Sequence, residues 1–136
     1  MKKTILLFSI AVLLASCSLS NDQPNFEYKL LPVTSVVVPT QYAVDSITNI
    51  TLKYKRPSSC YYFNNFYYKV EGYERTVAIE TMKSLQNDCT ADNETLYEVN
   101  LKFKPSFEGV YHFKFWTGTN SSGVDEFLEY DVDVNH

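Results

Sequence analysis

Basic residues, histidines and long apolar runs are all in short supply in this chain, and each shortage excludes something. The 12 lysines and arginines are outnumbered by 16 acidic residues, so there is no basic face to neutralise phosphates and nucleic acid is excluded as a partner. Of the two histidines, His136 is the last residue and His112 has no nucleophilic serine or cysteine placed beside it by any motif, which leaves acid–base catalysis thinly supplied. His112 reads instead as a surface or edge histidine. Histidine and cysteine nowhere fall at zinc-site spacings. The longest apolar run, Ile5 to Leu14 with Ser9 inside it, is far short of the about 20 residues that cross a bilayer as a helix. Glycine is scarce (4), and no segment sustains a 3.6-residue period, whereas tyrosine (11) and phenylalanine (9) are abundant. Together with recurrent valine and threonine, that balance favours strands over helices.

The N-terminus gives the address. Lys2 and Lys3, the apolar run, and small residues before a cysteine (Leu14-Ala15-Ser16-Cys17) make the three regions of an export signal. The ending resembles the lipobox of bacterial lipoproteins, which implies a diacylglyceryl group on the Cys17 sulfur, cleavage just before it, and an outer-membrane anchor on either face of that membrane. The alternative is an ordinary secreted protein cut near Ala15. Removing residues 1–16 leaves 120, the size of one domain, with a net charge of about −6 because Lys2 and Lys3 leave with the signal. Residues 17–28 read as the lipidated cysteine and a polar tether, and residues 29–136 as a single domain. Cys60 and Cys89 remain as a pair in an oxidising compartment, without the Cys-x-x-Cys spacing of redox centres. They read as a structural disulfide of roughly 3–4 kcal/mol.

Alternation predicts about seven strands. Leu30–Pro39 suits a first edge strand, with Pro32 and Pro39 tolerated there. Ile50, Leu52 and Tyr54 share one strand face, as do Val77 and Ile79, then Tyr97, Val99, Leu101 and Phe103, then Tyr111, Phe113 and Phe115, and finally Leu128, Tyr130, Val132 and Val134. The polar partners alternate with them. Residues 60–70 (CYYFNNFYYKV) admit two readings: one long strand with Cys60, Tyr62, Phe66, Tyr68 and Val70 inward, or, by a slight preference, strands interrupted at Asn64-Asn65 by a tight turn or a bulge. The expected fold is an all-β, immunoglobulin-like antiparallel sandwich.

The run from Phe107 to Trp116 (FEGVYHFKFW) resembles the Gly-x-Tyr penultimate strand of immunoglobulin-like sandwiches. Together with the lipobox, the Leu-Pro-Val strand, Pro57-Ser-Ser-Cys60 and Cys89, it resembles small Bacteroidota lipoproteins and the C-terminal β-sandwich of NigD-like lipoproteins, over residues 30–134. That resemblance implies fold and compartment and carries no activity.

Site chemistry is sparse. Glu126, Glu129, Asp131 and Asp133 offer carboxylates, but the last three alternate along one solvated strand face rather than forming a glycosidase pair, so no enzyme is expected. Asp88, Asp92, Asn93 and Glu94 crowd oxygen atoms together in a spacing that matches no calcium loop, and no metal or cofactor is expected. The aromatic stretch is the stronger signal. Tyr61, Phe63, Tyr67, Tyr73 and Trp116 form a candidate binding face, because alternation along residues 61–73 cannot bury every ring. Against it stands the ordinary habit of strand tyrosines to lie on their neighbours with the hydroxyl in water. Asp45-Ser46-Ile47 resembles the O-glycan acceptor of exported Bacteroidota proteins, which makes Ser46 a candidate acceptor. The expected role is a non-catalytic binding or accessory lipoprotein whose partner is an envelope component, with glycan binding and enzyme inhibition as the alternatives.

Overall fold

A computed structural model describes residues 25–86 and 88–136; Cys17, the signal and most of the tether lie outside them. The described chain forms nine strands: β1 (Phe26–Leu31), β2 (Val33–Val37), β3 (Tyr42–Ala43), β4 (Thr48–Lys55), β5 (Tyr61–Glu71), β6 (Glu74–Ser84), β7 (Leu96–Phe103), β8 (Gly109–Thr119) and β9 (Asp125–Asn135). They lie in two sheets. The smaller has the order β2-β4-β7. In the larger, β5 flanks one edge of β6, while β1 and β8 share its other edge, followed by β9 and β3.

The core forms where the apolar faces of the two sheets meet. Ile50, Leu52 and Tyr54 of β4 and Leu101 and Phe103 of β7 face Val77 and Ile79 of β6, Tyr111, Phe113 and Phe115 of β8, and Val132 and Val134 of β9, all buried in one cluster. Phe103 and Phe113 meet edge to face across the sandwich with centroids 4.9 Å apart, a geometry favoured by the ring quadrupoles. Tyr111 donates its hydroxyl to the Phe107 carbonyl at 3.0 Å, closing the corner into β8. The all-β sandwich and the inward faces expected for β4, β6, β7, β8 and β9 are present.

Three features differ from expectation. The first strand is split: β1 pairs with β6 and β2 with β4. Pro32 lies between them and has no N–H to give either ladder, so the chain changes sheets there. Phe26 and Glu27, at the end of the expected tether, already pair with Ser84 and Lys83. The larger sheet is mixed rather than antiparallel throughout, because β6 runs parallel to β8 and β3 parallel to β9.

The disulfide joins Cys60, just before β5, to Cys89 in the loop after β6, with Cα atoms 5.4 Å apart. It secures the start of a strand whose only sheet partner among the described residues is β6.

Candidate functional site

β5 runs unbroken through Asn64-Asn65, so the tight-turn alternative is corrected. What occurs there is a bulge, between the rungs Phe63↔Thr81 and Asn65↔Glu80. One extra residue inverts the side-chain parity beyond it. Tyr61 and Phe63 before the bulge, and Phe66, Tyr68 and Val70 after it, therefore share the side of the sheet that carries Val77 and Ile79. Tyr62 and Tyr67 take the opposite, outer face. This corrects the inward placement expected for Tyr62 and the outward placement expected for Tyr61 and Phe63. Tyr61 and Phe66 are half-buried against the core, whereas Phe63, Tyr68 and Val70 remain exposed because the three-stranded sheet is narrower and leaves β5 overhanging.

On the outer face, neighbouring strands set the residues in rows. Glu71, Glu74, His112 and Asp131 make one row, and Lys69, Thr76, Lys114 and Glu129 the next. One rung further, Tyr67 pairs with Ala78 and Trp116 with Phe127. Here β8 leaves β6 after Val77↔Phe115 and β1 takes its place, arriving with Leu30 opposite Glu80. A bulge between Trp116 and Gly118 accompanies the parting, with Gly118 at φ 124°, a conformation natural to glycine. The result is a trough of about 520 Å³ walled by Tyr67 on one side and Trp116 and Phe127 on the other, with Thr76 and Ala78 as its floor. Ala78 is only 1% exposed although it belongs to the outer face, whereas Tyr67 is 43% exposed.

Polar groups rim the trough. Lys114 pairs with Glu74 at 3.7 Å and Lys69 with Glu71 at 3.0 Å. The Trp116 indole donates to Asp125 Oδ1 at 2.9 Å and Thr119 donates to the same oxygen at 2.6 Å, which lowers the Asp125 pKa, the Thr119 bond contributing most. The Lys114 ammonium lies 4.8 Å from the Phe127 ring centroid. The indole plane is thus held by a carboxylate while the chain's one tryptophan stays partly open to solvent.

The remaining sequence candidates do not join this trough. Tyr73 locks a corner: its ring lies 4.9 Å from that of Tyr111, its hydroxyl donates to the Glu108 carbonyl at 3.0 Å, and a Cβ on Gly109 would meet it at 3.1 Å. With Tyr68, Arg75 and Phe107 it borders a second groove of about 720 Å³ at the open flank of the sandwich. Arg75 there is committed to the Gly72 and Glu74 carbonyls. His112 Nδ1 sits 2.6 Å from Asp131, and that hydrogen bond, with Glu129 and Glu74 nearby, raises its pKa against the opposing effect of burial. Asp92 turns to Arg56 at 2.8 Å and accepts a hydrogen bond from the Tyr97 hydroxyl. Bonds from Tyr97, Thr95 and Arg56 hold its carboxyl at about 2. Glu94 is 3.9 Å from Lys55, and among the described residues no three His, Cys, Asp or Glu side chains gather as a metal site. Ser46 is exposed in a turn at Asp45, which has φ 58° and donates its N–H to the Pro105 carbonyl at 2.8 Å.

Phe127, Ala78 and Leu30 were missed in the sequence. Phe127 alone carried a signal, as the one aromatic in phase with the acidic face of Glu129, Asp131 and Asp133.

Comparison with known proteins speaks to the N-terminus. Residues 1–18 match the family model for the prokaryotic membrane lipoprotein lipid attachment site. No curated protein and no solved structure matches the chain, and the likeness to NigD-like lipoproteins rests on its motifs alone. The protein carries the attachment site of a bacterial lipoprotein, anchored in a membrane of the cell envelope.

Proposed function

We propose that this lipoprotein is a non-catalytic binding module of the outer membrane, and that its ligand is a saccharide seated over Ala78 between Tyr67 and Trp116. The observation that carries this reading is the row in which two partly open rings flank a small, buried floor residue. Strands lie about 4.8 Å apart, so the β5 and β8 backbones on either side of β6 are about 10 Å apart at the last paired rung, Val77↔Phe115, and they diverge from there at Trp116. A sugar ring held between two aromatic faces needs two van der Waals contacts, about 7–8 Å from ring to ring. The apolar faces of a pyranose suit such walls, and its equatorial hydroxyls suit the charged rim of Lys69, Glu74, Lys114 and Asp125. A few polar groups around an apolar slot is the usual composition of a small-ligand site.

Affinity electrophoresis of the Cys17→Ser protein through gels containing soluble polysaccharides tests the reading. Retardation by at least one polymer, abolished by Trp116→Ala, supports it; migration unchanged across capsular, cell-wall, plant and mucin glycans contradicts it.

A second reading rests on a different observation. β5 is eleven residues long, and β6 is its only strand partner among the described residues, so its free edge suits an extended segment of an envelope protein adding as a strand. In that case Trp116→Ala leaves binding intact, while proline at an outward-pointing amide of β5 abolishes it.

A further inference from the structure

We infer that the Phe26–Tyr28–Tyr62 end of the larger sheet's outer face rests on the interfacial layer of the membrane that holds Cys17. Tyr28 and Tyr62 flank Met82 in one row, and Phe26 pairs with Ser84 in the next. Phe26, Tyr28 and Tyr62 are 37%, 58% and 52% exposed, and Phe26 and Tyr28 meet edge to face at 5.6 Å. Leu85, exposed at the same end, donates its N–H to the Asn25 carbonyl at 2.9 Å. Of the nearby charges, Glu27, Lys29 and Lys83 occupy the alternate rungs on the other face and pair among themselves at 3.3–3.4 Å, while Glu80 lies on this face beside the strip, two residues along β6 from Met82, and accepts a hydrogen bond from Asn64 at 2.7 Å. An uncharged, aromatic strip is what a headgroup layer accepts, since tyrosine and phenylalanine rings favour that depth with the hydroxyl towards water.

The occupant is set by where the chain enters. Phe26 lies nine residues after Cys17, so even fully extended chain separates them by only about 31 Å. A lipid on Cys17 therefore keeps this end within about 31 Å of the bilayer, and the short tether raises the effective concentration of the surface to roughly millimolar. A contact too weak to recruit the free domain is then occupied in the anchored one. The trough is separate: Ala78 is four residues along β6 from Met82, about 13 Å, so the proposal stands whether or not a saccharide binds there.

Hydroxyl-radical footprinting read by mass spectrometry distinguishes the occupants. The lipidated protein would be reconstituted in vesicles of phosphatidylethanolamine and phosphatidylglycerol and compared with the Cys17→Ser protein free in buffer. Modification of Tyr28 and Tyr62 is expected to slow severalfold on anchoring, with Tyr67 and Tyr73 unchanged, and Phe26 should lose its protection in an anchored Tyr28→Ser/Tyr62→Ser variant. Equal rates in both preparations would overturn the proposal, and so would equal protection of Tyr67, which would mean the whole face lies down. Protection that grows with protein concentration in the absence of vesicles would assign the strip to a second copy of the chain and likewise overturn it.

Discussion

Replacing Cys60 and Cys89 with serine should cost more than any surface change, and the cost can be worked from the loop they close. The bridge spans 29 residues. In the chain-entropy treatment, a closure of that length removes about 12 cal/mol/K from the unfolded ensemble, or about 3.6 kcal/mol at 25 °C. A domain of about 110 residues gains about 0.23 kcal/mol/K of entropy on unfolding, so the melting temperature should drop by about 15 °C. The loss should also be local: Cys60 leads directly into β5, which among the described residues pairs with β6 alone. Circular dichroism melts of the wild type and the double serine variant give the first number, and amide exchange gives the second, with Tyr61 to Phe63 exchanging faster before β8 is affected. A drop of under about 3 °C, too small for a closed loop of this length, would refute the reasoning.

The trough and the core should separate cleanly under substitution. Phe113, fully buried between the sheets, should cost about 3–5 kcal/mol as alanine, whereas Tyr67→Ala with Trp116→Ala should leave the fold in place by circular dichroism and remove binding; unfolding of that pair would make them core residues. Acid stability should show Asp92. Its folded pKa of about 2 lies below the ordinary 3.8, so its contribution is present above about pH 4 and is lost as pH falls through about 2. Urea midpoints of Asp92→Asn should accordingly show a shallower decline over that window, and curves parallel to wild type would reject the assignment. If Ser46 accepts a glycan in its native host, the intact mass will exceed that of the Ser46→Ala variant by more than the single oxygen lost; a difference of one oxygen would show it unmodified.

The core was legible because alternation reports which side of a strand is apolar, and β4, β7, β8 and β9 each bury one face against a covered neighbour. Alternation says nothing about which strands are adjacent. The parallel β6–β8 pairing and the exchange of β8 for β1 beside β6 were therefore invisible, and with them the convergence of Leu30, Ala78 and Phe127 on Tyr67 and Trp116. β5 was hardest, because a bulge at Asn64 inverts its parity midway and an overhanging edge strand exposes rings on both faces. For that reason Tyr61 and Phe63, grouped with Tyr67 by spacing, lie on the other side of the sheet. Pro32 does lie between two edge strands, as its missing N–H suggests, but the sequence does not show that β1 and β2 belong to different sheets and that the chain crosses between them at this residue.

Because Trp116 is the chain's one tryptophan, its fluorescence reports the trough directly. Titrating the Cys17→Ser protein with oligosaccharides from envelope and host polysaccharides should give, for at least one, a saturable spectral shift that vanishes in Tyr67→Ala. No saturable change with any sugar up to the solubility limit, from a protein whose melt shows it folded, would contradict the proposal that this face binds saccharide.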